Sequence, residues 1–294
     1  MSYADLGRHR FVATNGVTLH LVEAGPADGP LVLLLHGFPE FWWGWRAQIP
    51  ALAAAGYRVV APDQRGYFLS EKPAGVASYQ LPTLAADIAG LIAAFGYEQA
   101  AVIGHDWGAA VAWQTALMFP QRVHRLGILN VPHPRVMVET LRSDPQQVRK
   151  SWYILAFQLR GLAERAAAAN DWALFRESVR SSAQPGTFTD EILSVYQKAW
   201  SVPGALRSMM SWYRAAFLSP EGGFADPLVS PPTLILWGEQ DQFLEAAMAR
   251  RSLDFCRDGQ LHYFPDASHW VQHEEAAAVN RRLLAFLAGE RVDE

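Results

Sequence analysis

The sequence predicts an α/β fold: a mostly parallel, twisted sheet with helices on both faces and a helical cap inserted between two of its strands. Short apolar runs alternate with helical patterns along most of the chain, as they do in βαβ units. The strand pattern stops after residue 132 and returns near residue 233. With 294 residues, half of them hydrophobic, the chain is long enough to bury such a sheet and to carry an insertion.

The predicted elements follow one another in a regular order. Asn15-Gly16 is a hairpin dipeptide between two extended runs, so the sheet is expected to begin with an antiparallel pair. Leu31–Leu35 is apolar without alternation, which is typical of a strand buried on both faces. Further strands are predicted at residues 57–61, 100–104, 123–129, 233–237 and 261–264, and helices just before Gly56 and at residues 81–95, 107–119 and 271–287.

Residues 133–225 are rich in helical patterns and aromatic side chains and show no convincing strand run. The sequence therefore predicts a core made of residues 1–132 and 226–294, with residues 133–225 as a helical cap, or lid.

Composition excludes several classes of function. The net charge of −4 gives no basic surface for nucleic acid. No apolar run approaches the roughly 18 residues of a membrane-spanning helix, and residues 1–10 lack the apolar segment of a signal peptide. The single cysteine, Cys256, cannot form an internal disulfide. We therefore expect a cytoplasmic protein with neither nucleic acid nor a membrane as its partner; composition does not predict the oligomeric state.

No metal or nucleotide cofactor is expected. The sequence contains no Gly-rich phosphate loop, no CxxC pair and no HExxH motif.

Residues 104–108 form a pattern that carries chemistry. Gly104-His105-Asp106-Trp107-Gly108 follows a predicted strand and precedes a helix, which is the G-x-nucleophile-x-G pattern of a sharp strand-to-helix elbow. Asp106 is alternatively a helix N-cap. As a nucleophile, its carboxylate would attack saturated carbon and leave an ester on the protein, so the substrate should be an epoxide or an alkyl halide.

The chain resembles an α/β-hydrolase of the epoxide hydrolase type over essentially its whole length. His36-Gly37-Phe38-Pro39 is similar to the HGxP oxyanion loop of that family, and residues 130–134 resemble the segment that leads into its cap. The resemblance implies the α/β-hydrolase fold and an enzyme that opens an epoxide to a vicinal diol. Its partners would be a small epoxide and water.

The resemblance also implies a base and an orienting acid. His269 lies between the last predicted strand and the final helix, where the family places the base that hydrolyses the ester. Asp241 is the preferred orienting acid, and Glu239 is the alternative. The other histidines near the motifs receive lesser roles: His36 is expected to orient its loop, His105 to point away from the cleft, and His273 to lie on a solvated face.

Two cap tyrosines are expected to distinguish epoxide opening from halide displacement. Tyr153 and Tyr213 lie in segments that resemble those supplying the family's phenol donors, and Tyr196 is a weaker substitute. A phenol remains protonated at neutral pH, so it can donate to the oxygen as the C–O bond breaks.

The oxyanion hole should come from the backbone N–H groups of Phe38 and Trp107. Phe38, Pro39 and Trp107 are also expected in the substrate pocket. Trp42, Trp43 and Trp45 are assigned to the core rather than to a pocket wall.

One residue departs from the family pattern. Phe68 replaces a glycine in the loop 63–70, and a positive φ is disfavoured for phenylalanine. We therefore expect this loop to differ from the family pattern, and the sequence leaves open whether the pocket wall changes with it.

Two other functions remain open on the sequence alone. A dehalogenase on the same fold also uses an aspartate at the elbow. Haloalkane dehalogenases, however, place Asn where this chain has Phe38, and fluoroacetate dehalogenases place Arg where it has Trp107. A non-catalytic receptor built on a hydrolase scaffold would have no need of a nucleophile, an acid and a base together.

Overall fold

The computed structural model describes residues 6–218 and 226–292. Residues 1–5, which belong to the segment without a signal-peptide pattern, therefore lie outside the described residues. The predicted cap boundary at residue 225 lies outside them as well. In the described part, the strands are β1 (Arg8–Thr14), β2 (Val17–Ala24), β3 (Leu31–Leu35), β4 (Arg58–Pro62), β5 (Ala100–His105), β6 (Val123–Leu129), β7 (Thr233–Gly238) and β8 (Gly259–Phe264).

These strands form one sheet in the order β1-β2-β4-β3-β5-β6-β7-β8. β1 and β2 pair as the predicted antiparallel hairpin, and β2 pairs antiparallel with β4. All other neighbours are parallel. β3, β5 and β7 are buried along their whole length, as the unbroken apolar runs predict. The prediction of a mostly parallel sheet is confirmed.

The helices of the core lie between these strands along the chain or, for the last two, after β8. The helices predicted before Gly56 and at residues 81–95 and 107–119 are present, with ends that differ by only a few residues. The core helices are α1 (Gln48–Ala54), α2 (Leu81–Ala94), α3 (Trp107–Met118), α10 (Ala247–Ser252), α11 (Val271–Glu274) and α12 (Ala276–Ala288), where the numbers follow chain order and α4–α9 lie between β6 and β7.

Six helical segments occupy the described residues between β6 and β7, and the fourth of them is broken by non-helical backbone at residues 169–172. They are α4 (Pro134–Ser143), α5 (Pro145–Lys150), α6 (Trp152–Ala156), α7 (Leu162–Ser181), α8 (Asp190–Trp200) and α9 (Ala205–Ala216). Buried hydrogen bonds fasten this insertion to the core: the indole N–H of Trp200 donates to the carbonyl of Pro39 at 2.6 Å, and that of Trp212 donates to the carbonyl of Arg65 at 3.0 Å. None of the helices in residues 6–218 and 226–292 is both long enough and apolar enough to cross a bilayer.

The predicted helix 271–287 is interrupted. Glu275 leaves the helical conformation, with φ −113° and ψ 33°, so α11 and α12 are separate. The carboxylate of Glu274 accepts hydrogen bonds from the backbone N–H and hydroxyl of Ser268 and from the backbone N–H of Gln184. These contacts hold the first turn against the preceding loop, and helical periodicity gives no sign of them.

The expectation that Phe68 would avoid a positive φ is wrong. Phe68 has φ 33°, and its ring packs against Phe41 with a centroid separation of 5.0 Å. Packing against the core therefore holds phenylalanine in a conformation that glycine would adopt without strain.

Candidate active site

Asp106 stands at a sharp turn between β5 and α3. Its backbone has φ 49° and ψ −127°, a combination that non-glycine residues rarely adopt. Two glycines make the turn possible. A Cβ on Gly104 would lie 2.3 Å from the carbonyl oxygen of Gly108, and a Cβ on Gly108 would lie 2.0 Å from that of Leu35. Because three chain segments approach so closely here, only glycine fits at positions 104 and 108.

The carboxylate of Asp106 is presented to the cleft rather than used as a helix cap. Its side chain accepts no capping hydrogen bond from α3. Oδ1 instead accepts a hydrogen bond from the backbone N–H of Phe38 at 2.7 Å, and the side chain is 17% exposed. A Cβ on Gly37 would lie 2.3 Å from the Cβ of Asp106, so the HGxP loop can approach this closely only with glycine at that position.

His269 lies between two carboxylates. Its Nε2 is 3.4 Å from Oδ2 of Asp106, and its Nδ1 is 2.7 Å from Oδ2 of Asp241. The imidazole is buried, whereas Glu239 is exposed. Asp241 is thus the acidic residue that contacts the ring, and Asp106, His269 and Asp241 lie in a line.

Asp241 is held as an anion by its surroundings. Burial favours the neutral carboxyl, but His269 and several hydrogen bonds outweigh burial and lower the pKa of Asp241. Oδ2 accepts from the amide of Asn130 at 2.8 Å, and Oδ1 accepts from the backbone N–H groups of Phe243 and Leu244 at 2.7 and 3.0 Å.

The carboxylates on either side of His269 favour its charged form. Burial favours the neutral ring, but the carboxylates of Asp241 and Asp106 outweigh it and raise the pKa of His269 to about 10. The ring therefore carries a proton at neutral pH, and it can act as a base only after one of its anionic neighbours has lost its charge.

Tyr153 on α6 and Tyr213 on α9 face the same cleft. The centroids of their rings are 5.9 Å apart, and the ring of Tyr213 stands edge-on to Phe38 and to Trp107 at 5.0 Å each. Desolvation of the hydroxyl raises the pKa of both tyrosines, and the negative charge of Asp106 adds to the effect. Both phenols are therefore proton donors at neutral pH. Tyr196, in contrast, donates its hydroxyl to Glu40 at 2.6 Å.

A cavity of about 750 Å³ joins these groups. Asp106, His269, Tyr153 and Tyr213 all line it, and the rest of its lining is mainly apolar. The apolar side chains that line it include Phe38, Pro39, Phe157, Phe175, Phe243 and Trp270.

Phe38 and Pro39 line the cavity. The described residues that line the cavity do not include Trp107, because its ring packs edge-on against Trp212 and Tyr213. They do not include Phe68 either. Trp42 and Trp45 are buried in the core, and Trp43 packs against it, as predicted.

The remaining histidines surround the site without entering it. His36 contacts the carbonyl of Gly37 at 2.9 Å and accepts from the backbone N–H of Gln64 at 3.1 Å, so it orients its loop as predicted. His105 points away from the cleft, and its Nε2 lies 2.8 Å from the carbonyl of His269.

The prediction of a solvated His273 is wrong. Its side chain is 2% exposed, and its Nε2 lies 2.7 Å from Oε1 of Glu40. Burial disfavours the Glu40 carboxylate, but His273 and His105 overcome burial and hold the pKa of Glu40 well below its usual range.

Sequence reasoning missed two residues next to the site, Glu40 and Asn130. Glu40 directly follows the HGxP motif, and that position was the only available sign of it. Asn130 begins the segment leading into the cap, but nothing local indicates that its amide reaches Asp241.

Comparisons with known proteins agree with this geometry. Residues 30–276 match the family described as alpha/beta hydrolase fold. The chain is 46% identical to the AB hydrolase superfamily protein YfhM of Bacillus subtilis, over 96% of this chain and 98% of that protein. It is 37% identical to Epoxide hydrolase 2 of Caenorhabditis elegans, over 95% of this chain and 79% of that protein. A crystal structure of Bacillus megaterium epoxide hydrolase in complex with an inhibitor superposes with a TM-score of 0.87 at 31% identity, covering 95% of this chain and 100% of the other.

Proposed function

The chain belongs to the α/β-hydrolase fold family, and from that premise we propose that it is an epoxide hydrolase, which converts an epoxide to a vicinal diol through an ester on Asp106. One observation carries the proposal: an elbow aspartate faces an apolar cavity that is also lined by two protonated tyrosines and by a histidine paired with a buried aspartate. The substrates are a small-molecule epoxide and water, and nucleic acid is not a partner. We further propose that residues 133–225 form the cap of a cytoplasmic enzyme.

The first step is displacement at carbon. A carboxylate oxygen of Asp106 attacks one epoxide carbon, and the bond from that carbon to the epoxide oxygen breaks. Tyr153 and Tyr213 donate to the departing oxygen, and one of them gives it a proton. The product is a neutral glycol ester of Asp106.

This step also changes the charge state of His269. Because the ester is neutral, one of the two anions that raise the pKa of His269 is gone. The imidazolium can then return a proton to the tyrosinate, which leaves a neutral phenol and a neutral imidazole. Alkylation of the nucleophile therefore produces the base that the second step requires.

The second step is hydrolysis of the ester. Neutral His269 takes a proton from water, and the hydroxide adds to the ester carbonyl. The backbone N–H groups of Phe38 and Trp107 stabilise the oxyanion, and Asp241 stabilises the imidazolium. In the collapse of the tetrahedral intermediate, the bond between the carbonyl carbon and the glycol oxygen breaks, and the proton of the added hydroxyl passes to that oxygen. The diol leaves, Asp106 is again a carboxylate and His269 remains charged.

The test is to trap the ester with His269→Gln. This variant should react once with styrene oxide, and the peptide that contains residues 104–108 should gain the mass of the substrate without diol release. Asp106→Ala should gain no mass, and His124→Gln, a change at an exposed histidine, should turn over normally. Diol formation at the wild-type rate by His269→Gln, without an adduct, would exclude the two-step scheme.

The same incubation with chloroalkanes separates the alternatives. A dehalogenase releases halide and no diol from an epoxide, and a receptor turns over neither substrate. No feature of the described cavity favours halide over the epoxide oxygen, since its two phenols suit an oxygen that remains attached to the substrate.

A further inference from the structure

The cap exposes a group of large apolar side chains that its own packing leaves uncovered. We call it the cap-rim patch and define it by six residues, each between 51% and 68% exposed: Val148, Trp152, Leu155, Leu159, Leu162 and Leu174. They come from the consecutive helices α5, α6 and α7 and the turn between the last two. An exposed apolar group of this size normally marks a contact surface.

Four members of the cap-rim patch also line the active-site cavity: Trp152, Leu159, Leu162 and Leu174. A side chain that lines a cavity and is more than half exposed lies where the cavity meets the solvent. The patch therefore surrounds the entrance through which a substrate reaches Asp106.

Positive charge accompanies the patch. The side chains of Arg149, Arg160 and Arg165 are exposed and form no ion pair or hydrogen bond with other residues that the structure describes. The only acidic residue in the stretch 145–165 is Glu164, and its carboxylate is bound to the guanidinium of Arg214 at 2.7 Å. Residues 145–165 at the rim are therefore both apolar and cationic, although the chain as a whole carries a net charge of −4 and the acidic residues Asp171 and Glu177 flank Leu174 in the sequence.

We propose that the cap-rim patch docks on an anionic lipid surface. Apolar side chains with a tryptophan, flanked by unpaired arginines, match the composition of elements that rest in a membrane interface. The sequence alone predicts no membrane partner because it has no spanning run, but a contact of this kind needs none.

A second copy of this chain fits the patch less well. In a two-fold symmetric dimer the same surface meets itself, so the unpaired arginines of one copy would face those of the other. Such a partner would also close the entrance to the cavity. An anionic lipid surface attracts the arginines. It also keeps the cavity entrance in contact with a phase that dissolves apolar epoxides. The benefit for substrate uptake rests on the proposed function, whereas the docking itself does not.

The test measures binding to vesicles in the absence of epoxide. The wild-type protein should sediment with vesicles of phosphatidylcholine mixed with phosphatidylglycerol, and much less with phosphatidylcholine alone. Arg160→Gln with Arg165→Gln should weaken that binding roughly thirtyfold, since each arginine near an anionic surface contributes a factor of about five. Val148→Ser with Leu155→Ser should weaken it by about tenfold or more.

These four positions do not line the cavity, so both double variants should hydrolyse a water-soluble epoxide at the wild-type rate. Arg8→Gln with Phe11→Ser is the matched control. It removes an exposed arginine and a 62% exposed phenylalanine from β1, on the outer edge of the sheet, and should leave vesicle binding unchanged.

Three results would overturn the proposal: no sedimentation of the wild-type protein with anionic vesicles, equal loss of binding in the β1 control, or a concentration-dependent dimer that the cap variants abolish. Vesicle binding by a protein that turns over no epoxide would support the docking surface and contradict the proposed function.

Discussion

The position of Asp106 depends on backbone contacts that leave no room for a Cβ on its neighbours. Gly37 is the clearest case, because its added Cβ would lie 2.3 Å from the Cβ and 2.7 Å from Oδ1 of Asp106. Substitution there must move either the nucleophile or the loop that donates the Phe38 N–H. Since a displacement of about 1 Å at a reacting group costs on the order of a hundredfold in rate, Gly37→Ala should lower kcat/KM by at least that factor.

Gly127→Ala provides the control for this prediction. Its added Cβ meets only the side chain of Ile103, at 3.0 Å, within the sheet. We expect a modest loss of stability and nearly unchanged kcat/KM, measured by thermal unfolding and initial rates on styrene oxide. A Gly37→Ala enzyme with wild-type kcat/KM would show that Asp106 does not require this packing.

The two cap tyrosines should share one role in the first step. Single changes, Tyr153→Phe or Tyr213→Phe, should each slow formation of the ester, and the double change should slow it by about 10²–10⁴-fold, the range of general acid catalysis. Single-turnover mass spectrometry in the His269→Gln background measures this step alone. Tyr97→Phe, which removes a hydroxyl bonded to the carbonyl of Gly29, should leave it unchanged. A double variant that alkylates as fast as its parent would remove the tyrosines from the mechanism.

At the scale of elements, one side chain joins the ends of two strands beneath the catalytic pair. Asn130 follows β6 with φ 49°, and its amide bonds both the N–H and the carbonyl of Gly238, the last residue of β7, as well as Asp241. Asn130→Ala leaves these buried groups without partners. It should lower the free energy of unfolding by about 2–3 kcal/mol, measured by urea denaturation.

Asn130→Ala should also slow ester hydrolysis more than ester formation, because it loosens Asp241 and leaves Asp106 in place. Accumulation of the adduct during turnover of wild-type and variant enzyme measures the difference. Equal slowing of both steps would mean that Asn130 acts on the fold alone.

Elements whose signals are local could be predicted from the sequence. The hairpin at Asn15-Gly16, the buried run of β3 and the elbow around Asp106 are each determined by neighbouring residues, and all three are present. The sequence order of Asp106, Asp241 and His269 also follows from where parallel strands end.

Contacts between residues far apart in sequence could not be predicted. His273 lies in a pattern that indicates a solvated helix face, yet it is buried against Glu40, 233 positions earlier. The break at Glu275 depends in the same way on the contacts of Glu274 with Ser268 and Gln184. Trp107 was assigned to the pocket because it follows the nucleophile, but α9 covers its ring.

At the scale of the whole molecule, the site is assembled from the core and the inserted helices. Asp106, Asp241 and His269 each follow a strand of the sheet, whereas Tyr153 and Tyr213 lie on α6 and α9. Hydrogen bonds from Trp200, Trp212 and Tyr79 across this boundary set the distance between the two parts. Because the two parts are joined, the protonation state of His269 at the site between them contributes to the free energy of unfolding of the whole protein.

That contribution should be visible as a pH dependence of unfolding. The pKa of His269 rises from 6.5 to about 10 on folding, so protonated His269 stabilises the native state fully below about pH 6.5, and this stabilisation is lost as the pH rises toward 10. The carboxyls of Asp241 and Glu40 have lowered pKa values and titrate below this window. The difference in free energy of unfolding between wild type and His269→Gln should therefore shrink by roughly 2–4 kcal/mol between pH 6.5 and 10, measured by urea denaturation at each pH.

Asp106→Ala should shift this loss of stability to lower pH, because it removes one of the two anions that hold the proton on His269. A difference that stays constant across this range would mean that His269 is neutral in the resting enzyme, and alkylation of Asp106 would then have no role in producing the base.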